Sequence, residues 1–394
     1  MPRVVITGLG CVSPFGVGVE RLLDGIRAGA NAFGPVKRFD GAKYGIDSAA
    51  EIVETDQTRA YDGSRPSRLL QTAADEALSD SGLTSNELPA TTAIVLGTTL
   101  GSDEISHAKW QSVNAERVDY ESVVRSMSEC GARALVDRWH IKGPSLTAVT
   151  ACAAGTNAIG LGLDLIRLRR ADVVIVGGLD TLTELIYGGF ANIGALAEVC
   201  RPFAEDAQRL GTVLGENAAV LVLESEEHAQ SRSARIYAEV LGYGLSNDAY
   251  HMTAPSPAGS GAVLAMTRCL EDARTSPEEV DYVNAHGTGT SLNDSVELGA
   301  LWQVFGDEME RIPVSSLKSQ IGHGLSSGGA IEAIATTLAL YHRFLPPTAH
   351  DVTSLDARVN FVQSGARSES LCKAVSNSFA FGGHAASLAL SRWG

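Results

Sequence analysis

Short apolar runs rich in β-branched residues alternate with longer segments of helical period along this chain. Val4–Thr7, Thr92–Leu96, Asp172–Val176 and Ala218–Glu224 read as buried strands. Segments 67–82, 156–170 and 260–274 read as helices, the first with Leu69, Leu70, Ala73, Ala74, Ala77 and Leu78 on one stripe. Such alternation predicts an α/β protein with helices packed on sheets. A coarse duplication accompanies it. Thr150-Ala-Cys-Ala-Ala-Gly155 opens one helix with small residues, and Gly324-Leu-Ser-Ser-Gly-Gly-Ala330 does the same before helix 330–343. Strands ending in paired glycines, Gly177-Gly178 and Gly382-Gly383, follow each. The division falls in the polar stretch 225–235, so the expected halves are 1–230 and 231–394.

Composition narrows the classes. The chain has 394 residues, 44% hydrophobic and 20% charged, which excludes disorder and fibrous architectures. Its net charge of −15 argues against a nucleic-acid surface. Local basic groups, Arg65 with Arg68 and Arg167 with Arg169 and Arg170, read as solvated helix faces. Six cysteines without a C-x-x-C pair exclude a disulfide framework or a zinc site as the expectation. Neither a signal peptide nor a membrane-length apolar run is evident, so a cytoplasmic protein with reduced thiols is expected.

Gly8-Leu-Gly10-Cys-Val-Ser13 approaches a dinucleotide fingerprint but ends in Ser, and no ribose-binding acid follows at the right distance. These glycines are expected to shape a strand-to-helix turn. Cys152 is a better candidate. Its neighbours are small, and a helix starting there would favour the thiolate and could hydrogen-bond an oxyanion. The bland alternative is a buried cysteine acting as a small hydrophobe.

His286 sits in Ala285-His-Gly-Thr-Gly-Thr290, a strand running into a glycine-rich turn. Asp294 and Glu297 share one face of the helix expected after it, either to orient a histidine or hold a lysine, or as a structural network. Lys318 and His323 occupy Ser315-Ser-Leu-Lys-Ser-Gln-Ile-Gly-His-Gly324, where a lysine among apolar residues and glycines needs a partner. Together they suggest one composite site without a metal. Phe379 and Phe381, near the last strand, are either core or an apolar gate.

In this order and spacing the motifs resemble the condensing enzymes of the thiolase superfamily, closest to type II β-ketoacyl-acyl-carrier-protein synthases, with a type II polyketide ketosynthase as one form. The likeness runs from Val5-Ile-Thr-Gly-Leu-Gly-Cys-Val-Ser-Pro14 through Thr150-Ala-Cys-Ala153, Arg201-Pro-Phe203 and His251-Met-Thr-Ala-Pro-Ser-Pro257. It continues through the His286 and Lys318–His323 segments to Asn377-Ser-Phe-Ala-Phe-Gly-Gly383. The resemblance implies a five-layer αβαβα fold of two similar halves, usually dimeric. It implies Cys152 as acyl-accepting nucleophile, His286 and His323 as the pair binding a malonyl thioester, Lys318 supporting them and Glu297 anchoring Lys318. Phe381 would gate the acyl pocket, its N–H joining that of Cys152 in an oxyanion hole.

The implied activity is decarboxylative condensation with malonyl-carrier protein and needs no cofactor. The implied partners are an acyl carrier protein and either a second copy or a chain-length-factor-like subunit; carrier docking is expected at Arg65, Arg68 and Arg209. Departures cluster at the acyl pocket and gate. They are Ala204, two extra residues before Arg209, Thr212 in place of an aromatic, Ser326, Ser327, Ala380 and His384. They point to a polyketide, polyene or other specialised chain. Competing readings are a non-catalytic chain-length partner and a relative turned to hydrolysis, cyclisation or amide formation.

Overall fold

The computed structural model describes residues 1–61, 63–99, 130–205, 210–350, 353–363 and 365–394. Among the described residues the main sheet has eleven strands, ten of them in one continuous order: β1 Val4–Ser13, β2 Ala93–Gly97, β3 Ser145–Ala148, β4 Val173–Asp180, β5 Asn217–Ser225, β6 Ala238–Asn247, β7 Tyr282–Asn284, β8 Val314–Ser315, β9 Lys373–Phe379 and β10 His384–Arg392. Their spatial order is β8-β7-β9-β10-β6-β1-β5-β4-β2-β3, with Gly16–Val17 flanking β1. Within each set of five the order is third, second, fourth, fifth, first, read from the outer edge inward. The directions repeat as well. The outer three strands are mutually parallel, and the fifth is antiparallel to both its neighbours. The sets meet across only Val5↔Glu239 and Ile6↔Ala238.

Helices sort into three layers around these sheets. Arg65–Asp80 packs on β1 and β5, and Cys130–Trp139 joins it on that outer face. Ser260–Ala273 covers β6 and β10 on the opposite outer face, against Ser291–Phe305. Between the sheets, Ala154–Arg167 and Ser326–His342 pack on each other and on strands of both sets. The result is the five-layer αβαβα arrangement of the thiolase-like fold. One apolar cluster fills the middle layer from both sets, and separate clusters lie under each outer pair.

Small residues explain the middle layer. Ser326 through Leu340 are all buried, so this helix has no solvent face and needs no amphipathic stripe. A Cβ on Gly155 would lie 2.5 Å from the Ser326 carbonyl oxygen, and one on Gly329 would lie 2.8 Å from the Thr156 nitrogen. The glycines noticed before each helix are therefore what lets the two helices touch backbone to backbone.

Gly8 and Gly10 differ from expectation. They lie inside β1, which runs on to Ser13, rather than in a strand-to-helix turn. A Cβ on Gly10 would come within 2.0 Å of the Ala73 oxygen and one on Gly8 within 2.2 Å of the Ala77 oxygen. The 65–80 helix thus presses its backbone onto β1, and no phosphate cradle results. Its start is fixed by Ser64, whose hydroxyl accepts from the Ser67 N–H, and by Pro66 in the first turn. No helix among the described residues is long and apolar enough to cross a membrane.

Candidate active site

β3 delivers the chain to Ala151, which holds a left-handed φ of 47° without being glycine. Such a conformation costs roughly 1–3 kcal/mol and persists only where its surroundings impose it. Here it turns the chain so that Cys152 sits in the tight turn Ala151–Ala153 at the mouth of the 154–167 helix. The sulfur is buried and lies 3.1 Å from Nε2 of His323. His323 follows the short helix Lys318–Ile321, and its backbone is clamped by Val213 and Gly215. Its N–H donates to the Val213 carbonyl at 2.7 Å, and its carbonyl accepts from the Gly215 N–H at 3.0 Å.

His286 arrives just beyond β7. Its ring centroid is 5.3 Å from that of His323, with the planes at 85°. The turn is held by Glu297, whose two oxygens accept the N–H groups of His286 and Gly287, each at 2.8 Å. Asp294 accepts from Phe203 N–H at 2.8 Å and Gly289 N–H at 3.2 Å. The shared helix face was expected, but these carboxylates grip main chain. Glu297 does not anchor the lysine. Lys318 Nζ donates instead to Glu332 Oε1 at 2.5 Å, with both side chains buried. Only this acid lies in the 326–342 helix, and its solitary charge among Gly, Ala and Ile was the signal that sequence reasoning passed over.

Burial dominates the electrostatics. It pushes the Cys152 thiol up to about 12, with the Lys318 charge as the largest opposing influence. Burial, reinforced by Lys318, drives both histidines well below the usual imidazole value. Burial thus works against the thiolate that the helix terminus alone would favour, and pushes both imidazoles toward their neutral form. Burial also raises the Glu297 carboxyl to about 7 and Asp294 to about 6, although each accepts backbone N–H groups.

A cleft of ≈ 290 Å³ opens onto this centre, reached by Cys152, His286, His323 and Thr212. Phe379 and Phe381 both line it, although β9 ends at Phe379 and Phe381 begins the next turn. Phe381 stacks on Phe190 with centroids 5.5 Å apart, and the 381–383 turn packs against the 151–153 turn. Ala380 is extended (φ −139°), so its Cβ is accommodated there. His384 Nδ1 lies 3.3 Å from the Asn247 amide. Ser326 Oγ donates to Asp180 at 2.6 Å, and Ser327 Oγ to the Gly324 carbonyl at 2.5 Å. Ala204 is buried and bridges to Ser354.

The docking residues fare differently. Arg65 is buried, and its guanidinium donates to Glu216 at 2.6 and 2.8 Å and to the Ile52 carbonyl at 3.1 Å. It is a core ion pair and offers no charge to a partner. Arg68, about a quarter exposed, pairs with Glu54 at 2.8 Å, and Arg209 lies outside the described residues. Arg167, read as part of a solvated face, bonds Asp272 at 2.7 Å and the Leu241 carbonyl at 2.6 Å, tying the middle layer to the second half.

Two family profiles match this chain: "Beta-ketoacyl synthase, N-terminal domain" over residues 1–229 and "Beta-ketoacyl synthase, C-terminal domain" over 237–351. The chain belongs to the β-ketoacyl synthase family. A relative from Rhizobium meliloti named 3-oxoacyl-[acyl-carrier-protein] synthase 2 is 38% identical, across 100% of this chain and 99% of its own. Among solved structures, the ishigamide ketosynthase/chain length factor superposes with a TM-score of 0.93 at 36% identity, covering 100% of both chains. A type II polyketide synthase acyl-carrier protein in complex with its ketosynthase bound to the hexaketide matches at 0.90 and 27% identity, again over 100% of both. As a β-ketoacyl synthase the chain is an acyltransferase-type condensing enzyme.

Proposed function

We propose that this β-ketoacyl synthase joins an acyl group held on Cys152 to a malonyl unit delivered on an acyl carrier protein, with loss of carbon dioxide. The observation that carries this reading is the convergence of the Cys152 sulfur and the His286 and His323 imidazoles on one cleft, with the buried Lys318 charge acting on both rings. Acylation begins when Cys152 attacks an acyl thioester. Its proton passes to Nε2 of His323, the new sulfur–carbonyl bond forms, and the carrier thiol leaves protonated. A neutral imidazole can accept that proton; an imidazolium cannot.

Malonyl-carrier then enters. Its carboxylate leaves as carbon dioxide, and the electron pair becomes an enolate whose oxygen takes hydrogen bonds from the two histidines. That charge develops only as decarboxylation proceeds, so these donors stabilise the transition state more than the bound substrate. The enolate carbon attacks the acyl carbonyl on Cys152. The oxyanion formed is assigned to the backbone N–H groups of Cys152 and Phe381, and collapse expels the Cys152 sulfur. Lys318, neutralised in part by Glu332, sets the field at both rings.

The two halves, 1–230 and 231–394, divide the labour: the first brings the nucleophile and the second the imidazoles and lysine. A specialised chain of the polyketide type is inferred from Thr212 standing on the cleft wall where an aromatic is usual. The second subunit is a copy of this chain or, by the likeness to a ketosynthase/chain length factor, a partner of that kind. A cytoplasmic setting fits a reaction that depends on a reduced thiol. Intact mass of wild type and Cys152→Ala after incubation with acyl-carrier tests the reading. Wild type should gain one acyl mass, lose it on adding malonyl-carrier, and yield a 3-oxoacyl-carrier two carbons longer. Failure to gain the mass, or release as free acid, overturns it.

A further inference from the structure

Asn247, the last residue of β6, pairs across the sheet with His384, the first of β10, and its side chain reaches the 381–383 turn that leads into β10. Its Nδ2 donates to the Gly382 carbonyl at 2.8 Å and lies 3.3 Å from Nδ1 of His384, while its Oδ1 accepts the Ala249 N–H at 2.8 Å. A carbonyl facing one prong and an N–H facing the other fix which end of the amide is which. Main-chain bonds hold the rest of the turn. The Gly382 N–H donates to the Met252 carbonyl at 2.8 Å, the Asp248 N–H to the Gly383 carbonyl at 3.0 Å, and the Ala380 N–H to the His384 carbonyl at 2.8 Å. Local preference does not set the Gly382 carbonyl in place, because Gly382 and Gly383 sit at φ 78° and 76° and glycine adopts either sign of φ freely. Asn247 does.

We infer that Asn247 is a positioning residue for acyl transfer: by fixing the Gly382 carbonyl it aims the Phe381 N–H, one residue back, at the oxyanion formed on Cys152. This rests on the condensing reading given above. The 381–383 turn packs against the 151–153 turn, so a swing of the Gly382 peptide is felt where that oxyanion forms. Losing an oxyanion donor outright typically costs about 10²–10³-fold, and a donor left to wander forfeits a share of that. The enolate step does not depend on this tie. Its oxygen is taken by His286 and His323, whose backbones are held by Glu297 and by Val213 with Gly215 rather than by Asn247.

The test compares two half-reactions. Cys152 acylation is followed by intact mass in excess acyl-carrier, with one short and one long chain, and carbon dioxide release is followed with malonyl-carrier alone. Asn247→Asp keeps the size and the acceptor for the Ala249 N–H but turns an oxygen toward the Gly382 carbonyl. It should slow acylation at least about tenfold for both chains and leave carbon dioxide release within about twofold of wild type. Asn247→Ala, which removes the tie without the repulsion, should slow acylation at least about threefold with the same split. Acylation at the wild-type rate in either variant overturns the inference. Equal loss of both half-reactions overturns it too, since the substitution then disturbs the whole site. So does slowing confined to one of the chains, since Asn247 then governs passage through the gate. If wild type takes up neither chain, the condensing reading itself falls.

Discussion

Lys318 Nζ lies 2.5 Å from Glu332 Oε1, with each side chain only 2% exposed. The pair bridges the short helix that leads to His323 and the middle-layer helix that packs beside Cys152. Removing one member leaves an uncompensated buried charge, which typically costs about 3–5 kcal/mol. Glu332→Ala should therefore lower stability by about that amount in urea unfolding. Lys318→Met with Glu332→Leu should recover most of the loss and remain unable to decarboxylate malonyl-carrier. A double variant as unstable as the single one would show that the pair does more than neutralise itself.

The Cys152 thiol, raised by burial to about 12, makes a second prediction. An acid with a raised pKa stays protonated until higher pH, so the reactive thiolate is scarce near neutrality and grows as pH rises. Alkylation of the free enzyme by iodoacetamide should keep accelerating beyond pH 9, with Cys152→Ala subtracting the other thiols. A plateau between pH 6 and 7 would mean that a thiolate–imidazolium pair already exists at rest.

How far the sequence spoke for the fold can be judged from particular residues. The stripe Leu69, Leu70, Ala73, Ala74, Ala77 and Leu78 is buried as its period requires, because one helix face meets one sheet. The small residues around Cys152 and Gly324 marked the middle layer, since a helix buried on every side between two sheets carries little bulk. The Lys318–Glu332 pair was not legible. Its members are 14 residues apart across an intervening turn, and no periodicity links them. Arg65 was misread for a related reason: an arginine in a charged stretch implies solvent, and only tertiary packing brings Glu216 beneath it. Cys152 showed the same limit, as its helix terminus was visible but the burial that outweighs it was not.

Arg65 supplies a third prediction. Because its guanidinium satisfies Glu216 in the interior, Arg65→Ala should destabilise the fold by about 3–5 kcal/mol. Carrier affinity, measured on whatever fraction remains folded, should stay as in wild type. A weakened carrier complex at unchanged stability would restore Arg65 to a docking surface.

Gly10 supplies a fourth. A methyl group there would meet the Ala73 carbonyl and the Ala77 nitrogen, which are helix backbone and cannot swing aside. Gly10→Ala should cost about 1–3 kcal/mol, the usual range for overpacking. It should leave the protein as indifferent to dinucleotides as wild type in calorimetry. A stable variant would mean that the 65–80 helix rides further from β1 than the contacts imply.

The two histidines stand in different relations to the sulfur, and that difference separates the half-reactions. His323 Nε2 is 3.1 Å from Cys152 Sγ, close enough to accept the thiol proton as the acyl group arrives. His286 is edge-on to His323, with its turn fixed by Glu297 rather than by the cysteine. Cys152 should therefore still acquire an acyl group in His286→Ala, at no less than about a third of the wild-type rate, while decarboxylation of malonyl-carrier falls by 10²-fold or more. His323→Ala should slow both steps, because it removes the proton acceptor as well as one enolate donor. Intact mass follows the first half-reaction and released carbon dioxide the second. Were His323→Ala to acylate at the wild-type rate, the 3.1 Å contact would have no part in activating the thiol, and the proton would have to leave by another route.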